Sequence, residues 1–330
     1  MTVATSSRHD ESWRIGPTTP EPAFTPIEPA SFTTSSMGGR LAIHVDADGR
    51  PDAAERDSRR VFGRVDRWAA RLTRHTETSD LARLNADPSQ AVAVRPILAA
   101  ALLAGARAAD LSDGFADITL LDARLAAEGL SELAAVFRLG EWRVVRHRRG
   151  TAVIERPFGL RFDLGGVGKG WIADRALALL RSWPGVVVDA DGDLAVRCAP
   201  GKCWEIGIDD PRSEGLNLAV LRLTAPPHGL ATQWGVATSG TSVHRWNVGG
   251  EIRHHLIDPR TGLPAETDVI QATVIAESAL RAEALSKAAV IAGSVDGFAL
   301  LQRARVRGAV LLTSRGDVLA LPATLSLLAA

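Results

Sequence analysis

Four glycines in six residues, Gly165-Gly166-Val167-Gly168-Lys169-Gly170, fix one place where this chain must turn tightly and approach another surface closely. Before them, Leu160 to Leu164 reads as a short strand. After them, Ile172, Ala176, Leu177 and Leu180 follow helical spacing. A strand that passes through a glycine turn into a helix gathers free backbone N–H groups at a helix start, a setting that attracts anions. Two readings stand for the segment: a phosphate cradle flanked by Asp163 and Lys169, or a tight turn with an exposed lysine. It is no P-loop, which needs Ser or Thr where Gly170 follows the lysine, and its glycine spacing differs from the dinucleotide fingerprint.

Elsewhere helices and strands alternate irregularly, and no internal repeat is present. Val61, Val65, Trp68 and Leu72 predict an amphipathic helix from Arg59 to about His75. Pro96 starts a second helix, to about Leu111, which Ser112-Asp113-Gly114 stops. Strands are expected at Val186 to Val188, Trp204 to Ile208, Leu216 to Leu223 and Ile270 to Ala276. Gly249-Gly250 suits a primed hairpin turn between Val243 to Val248 and Glu251 to Ile257, with His255 on the second arm. Ser278 caps the next helix and Gly293 ends it, before a closing hairpin from Val310 to Leu321.

Residues 1–35 are rich in Pro, Thr and Ser without hydrophobic periodicity, so a disordered tail is expected there and one domain from 36 to 330. With 38 basic and 38 acidic residues the net charge is zero, which leaves no overall field for nucleic acid or an anionic membrane. No apolar run is read as approaching a membrane span, so no membrane insertion is expected. Cys198 and Cys203 lack a second pair and read as ordinary thiols. No basic-then-apolar start or lipobox cysteine is seen, and the expectation is a cytoplasmic protein.

Two further segments carry chemistry. His255-Leu256-Ile257-Asp258-Pro259-Arg260-Thr261-Gly262 gathers an imidazole, a carboxylate and a guanidinium within eight residues. An imidazole titrates near neutrality and suits a general base toward a hydroxyl, although a hydrogen-bonded structural histidine fits the same position. Ala237-Thr238-Ser239-Gly240 offers hydroxyl donors to a ligand or simply forms a turn; it is not a nucleophile elbow.

These segments, in this order, resemble the ApbE family of FAD:protein FMN transferases. The resemblance spans most of Ser36 to Gly293. It rests on Met37-Gly38-Gly39, Ser79-Asp80-Leu81-Ala82-Arg83-Leu84-Asn85, Gly114-Phe115-Ala116-Asp117-Ile118-Thr119, the Asp163 segment, Thr238-Ser239-Gly240 and His255 to Gly262, with Asp209-Asp210-Pro211 after Trp204 to Ile208.

The resemblance implies an α+β fold with mixed, largely antiparallel sheets, flanking helices and an FAD cleft between two lobes. It implies that Met37, His75 (usually tyrosine), Phe115, Ala116, Asp117, Asp163, Lys169, Thr238 and Ile257 bind FAD. His255 is then the catalytic base, with Asp258 beside it. The implied reaction moves FMN from FAD to a Thr or Ser hydroxyl of an acceptor flavoprotein and releases AMP.

The family's metal, Mg2+, would be met by the Gly166 carbonyl and by the positions of Glu283 and Lys287. Those two replace the usual Asp and Thr within Ala282-Glu283-Ala284-Leu285-Ser286-Lys287. An ammonium donates and cannot ligate magnesium. Lys287 is therefore expected to assume part of the cation's role, unless Glu283 and Lys287 are only a solvated i,i+4 pair. Asp191 stands where the family commonly has glycine, and Thr241-Ser242 where it commonly has Asp-Tyr. A non-catalytic FAD-binding protein, or an FAD pyrophosphatase releasing FMN and AMP, are the alternatives.

Overall fold

A computed structural model describes residues 24–131, 141–146 and 151–329. Eight of its strands form one antiparallel sheet: β1 (Ala30–Ser36), β2 (Gly39–Val45), β3 (Val186–Ala190), β4 (Asp193–Cys198), β5 (Thr232–Gly240), β6 (Val269–Ala276), β7 (Gly308–Thr313) and β8 (Val318–Ala320). Their order across the sheet is their order along the chain. The helices are α1 (Pro51–Leu72), α2 (Asp80–Ala86), α3 (Pro96–Leu111), α4 (Leu121–Ala127), α5 (Gly168–Leu179) and α6 (Ala279–Arg303). The expected α+β class with largely antiparallel sheets is what the chain adopts.

The meander is interrupted by excursions. One leaves β2 at Val45 and returns at Val186 with α1 to α5; another leaves β5 at Gly240 and returns at Val269 with two small hairpins; α6 joins β6 to β7. Both sheet faces are covered, so β3 is buried at every position. Val186 and Val188 face the core built with α1, α3 and α5, and Val187 faces the core shared with Trp204 and Leu221.

Two-residue turns with both φ angles positive close the β1–β2 and β3–β4 connections: Met37-Gly38 (56° and 80°) and Asp191-Gly192 (57° and 92°). That combination defines the primed turn whose twist suits a hairpin, and Asp is among the few non-glycine residues that tolerate it. Because Leu41 pairs with Ala190, both turns lie at one edge of the sheet. Gly249-Gly250 (63° and 91°) makes the third such turn, as expected, between Arg245–Val248 and Glu251–His254.

Several expectations need correction. The ordered fold starts before residue 36: Thr25–Pro26 pairs with Lys202 and Cys203, and β1 is a full edge strand whose alternating burial hides in a Ser/Thr-rich sequence. The rest of the expected tail, residues 1–23, lies outside the described residues. Helix α1 begins at Pro51, eight residues before Arg59, since proline suits the first turn. His255 falls just past the hairpin arm, which ends at His254. Gly293 (φ 83°) does end the first part of α6, as expected, but a second helical part follows at once from Ser294, whose N–H donates to Asp268 at 2.8 Å. Helix α6 as a whole is long and apolar enough to cross a membrane by composition, contrary to the reading that no run approaches this; it packs against β5, β6 and α5 with most of that window buried.

Leu160 to Leu164 is extended without joining a sheet. The Asn85 side chain takes the place of a neighbouring strand. Its Nδ2 donates to the Phe162 carbonyl and its Oδ1 accepts the Phe162 N–H, both at 2.8 Å, and the Asp163 N–H donates to the Ile118 carbonyl at 2.8 Å. Phe162 is fully buried, so no water can replace these bonds. Asn85→Ala should lower the unfolding free energy by about 2 kcal/mol, the scale of buried groups left unpaired. Urea denaturation checks this; a change below about 0.5 kcal/mol, within the range of an ordinary surface substitution, would show that Asn85 does not support the segment.

Candidate functional site

The glycine loop, the segment after α3, the turn after the Arg245–His254 hairpin and one residue of α6 meet around an open cleft. Eight residues singled out from the sequence line it: Phe115, Ala116, Asp117, Asp163, Gly166, His255, Ile257 and Lys287. They arrive from four separate parts of the chain. The carboxylate of Asp117 accepts from the Thr119 N–H and hydroxyl, both at 2.8 Å, which fixes the turn after Phe115. Burial outweighs those bonds and raises the Asp117 pKa. Asp163 Oδ1 accepts from the Gly165 N–H at 2.9 Å and so shapes the glycine loop.

His255 is the imidazole that lines the cleft. Burial, reinforced by the positive charges of Lys287 and Arg124 and by His244 and His254, pushes its imidazole down to about 2. The ring is therefore neutral at physiological pH. Its Nδ1 is buried without a hydrogen-bond partner among the described residues, and His255 lines the cleft. The ring of His244 stands edge-on to it, 5.2 Å between centroids.

Lys287 reaches the cleft floor. A Cβ added at Gly166 would overlap its Nζ, so the absent side chain of that glycine is what admits the ammonium. Among the described residues it makes no hydrogen bond or ion pair. Burial lowers its pKa, against the pull of Glu283, Asp163 and Asp193. Glu283 does not face the cleft. Its Oε2 accepts from the Gly170 N–H at 2.9 Å in the first turn of α5, and its pKa is raised by burial although Lys287 and Lys169 oppose this. One methylene more than Asp lets the carboxylate reach that helix start.

Lys169 lies apart from the cleft lining. Its Nζ is 3.4 Å from Asp193, 3.8 Å from Asp191 and donates to the Asp191 carbonyl at 3.3 Å. Burial alone would lower its pKa, but Asp193, Glu283 and Asp191 outweigh burial and raise it. Among the described residues, no group of three or more His, Cys, Asp or Glu side chains is placed to hold a metal ion. The set Gly166, Glu283 and Lys287 is thus no carboxylate-hydroxyl ligand set: one member is an ammonium and another serves a helix.

The remaining candidates are not part of the cleft wall. Asp258 is buried in a bidentate pair with Arg260, with bonds of 2.7 to 3.1 Å, and also accepts the Arg260 N–H at 2.9 Å. That carboxylate is committed to the turn following His255. Thr238 shares a 2.8 Å hydroxyl bond with Thr273 of the neighbouring strand, and Ser239 one of 2.8 Å with Ser286 of α6. His75 is exposed in the loop after α1, and Met37 packs its side chain on the core at the β1–β2 turn. Sequence reasoning missed Arg124, which lines the cleft, donates from Nη1 to the His255 carbonyl at 2.9 Å and from Nε to Glu128 at 2.7 Å. An arginine among the alanines and leucines of α4 gives no such signal.

The ApbE family model matches residues 37–311. The FAD:protein FMN transferase of Treponema pallidum is 31% identical over 156 residues, covering 44% of this chain and 41% of that one. The FAD:protein FMN transferase of Rhodobacter capsulatus is 28% identical over 297 residues, covering 85% and 55%. This chain spans about half the length of the curated relatives it matches. Two crystal structures share the fold. The apo flavinyl transferase ApbE of Pseudomonas stutzeri has a TM-score of 0.74 at 22% identity, covering 92% of this chain and 98% of that one. The ApbE protein of Thermotoga maritima has a TM-score of 0.76 at 23% identity, covering 92% and 100%.

The neutral state of His255 has a consequence for stability. Its folded pKa of about 2 lies below the unfolded value, so acid protonates the unfolded chain first, and the contribution present above pH 6.5 is lost as pH falls. Between pH 8 and pH 5.5 this site alone should remove about 1.4 kcal/mol. Chemical denaturation of the natural protein and of His255→Gln at both pH values isolates it from His44, His244 and His254, whose pKa values are also lowered. Equal acid losses in the two proteins would mean that the folded imidazole titrates normally.

Proposed function

The chain belongs to the ApbE family, and from that premise we propose that it transfers FMN from FAD to a Thr or Ser hydroxyl of an acceptor protein. The observation that carries this reading is the meeting of a neutral imidazole, His255, and the Lys287 amino group, which forms no ion pair among the described residues, across one glycine-lined cleft. In the proposed step the acceptor oxygen attacks the phosphorus on the FMN side of the diphosphate. The bridging P–O bond breaks and AMP leaves. The hydroxyl proton passes to the imidazole of His255.

Phosphoryl transfer depends on holding charge that gathers on oxygen, and family resemblance would assign that work to Mg2+. The residues present do not fit that ion: Lys287 fills the space beside Gly166, and Glu283 is bound to the start of α5. No step is therefore routed through magnesium. We assign the charge to Lys287 itself, a cation in a partly dehydrated site where electrostatic stabilisation exceeds its value in water.

Incubation of the protein with FAD and a peptide carrying a Ser or Thr acceptor should yield a peptide heavier by one FMN phosphoryl group, with equimolar AMP. His255→Ala should slow this by about 100- to 10,000-fold, the range for loss of a general base. FMN and AMP formed without peptide labelling would favour the pyrophosphatase alternative; FAD binding with neither product would favour a carrier.

The role of Lys287 is checked by flavin fluorescence titration. Binding of FAD should be unchanged by EDTA or millimolar Mg2+, and Lys287→Thr should weaken it about tenfold, the scale of one lost charge-assisted bond. A steep magnesium requirement in the natural protein would refute the assignment.

A further inference from the structure

Arg124 has a role beyond the proton transfer described above. Its side chain is 18% exposed, and three of its features are already engaged. Nε donates to Glu128, Nη1 donates to the His255 carbonyl, and the guanidinium lies 4.8 Å from the centroid of the Trp246 ring. Among the described residues its Nη2 has no protein partner, although Arg124 forms part of the cleft wall.

Glu128 does not serve Arg124 alone. It also accepts from Arg74 at 2.5 Å, and the Nε of Arg74 is 3.8 Å from Asp163. A continuous path therefore runs from Asp163, in the glycine loop, through Arg74, Glu128 and Arg124 to the backbone of His255. It joins the two walls between which the ligand would lie. The loop after α1, α4 and the hairpin carrying Trp246 all meet in it, far apart in sequence.

An arginine confined on two edges and one face has lost most of its rotamer freedom before any ligand arrives, so little more is lost on binding. Its planar fork presents the last nitrogen in a fixed direction that suits a phosphate oxygen. Lysine would keep the charge but has no second and third edge with which to grip Glu128 and the His255 carbonyl.

We propose that Arg124 is a positioning residue for the transfer: it anchors the backbone of His255 and turns Nη2 onto a phosphate oxygen of a dinucleotide's diphosphate, setting the separation of base and phosphorus with one rigid group. This deepens the FMN-transfer reading and rests on it for the reaction, but the phosphate contact is testable without it.

Three measurements on the full chain decide the matter. Titration with inorganic pyrophosphate should show binding weakened about tenfold in Arg124→Gln, one charge-assisted bond's worth. Single-turnover transfer from FAD to peptide should fall at least about 100-fold in Arg124→Lys, beyond any fall in FAD affinity, because orientation is lost while charge is kept. In Arg124→Ala, added methylguanidinium should restore part of that rate, which a purely structural defect would not allow.

Pyrophosphate binding that depends on Arg124 in a protein that flavinylates no peptide would leave the contact standing and remove the transfer reading. Pyrophosphate binding indifferent to Arg124 would overturn the proposal. So would a loss of rate matched by a loss of urea stability in both variants, with no methylguanidinium rescue.

Discussion

The cleft depends on keeping the amino group of Lys287 in a half-dry position where, among the described residues, no carboxylate forms an ion pair with it. A charge there is unfavourable unless something offsets its lost hydration, and the surrounding carboxylates do so only at a distance. Glu283, Asp163 and Asp193 favour the charged form of Lys287 without forming an ion pair with it. Glu283 is itself drawn away to the first turn of α5. Positive potential is thereby left facing the cavity. Burial is the main cause of the neutrality of His255, and the field of Lys287 and Arg124 adds to it.

The same arrangement accounts for the paired change within α6. A longer carboxylate at position 283 reaches Gly170, whose missing side chain leaves room for it: an added Cβ there would lie 2.9 Å from Oε2. Four residues along, the ammonium occupies the space left by Gly166. Glu283, Lys287 and the two glycines form one steric unit. Restoring an aspartate alone would leave the Gly170 N–H short of its acceptor while the lysine still filled its present place.

Much of this was legible before any coordinates. Glycine spacing marked the loop, and the dense His255 to Gly262 segment marked the opposite wall, because few other arrangements need those residue types together. Local signals also placed α3 and the Gly249-Gly250 turn. What remained hidden was carried by contacts between distant segments. Asn85 serves as a strand neighbour for Phe162, so an apolar run that reads as a strand has no strand beside it. Asp258 reads as chemistry, yet its geometry is that of a side chain folding its own turn around Arg260. Arg124 sits in a short helix whose sequence says nothing of the carbonyl it holds 131 residues away.

Because the sheet runs in chain order, its strands need no information from the loops to find their partners. The wall formed by the glycine loop hangs from the long excursion between β2 and β3, and the wall bearing the imidazole from the separate one between β5 and β6. Either can drift in sequence while the scaffold stays in register. Remodelling of the second excursion could thus reshape one side of the cleft while the glycine loop and the segment after α3 keep their attachment to the scaffold.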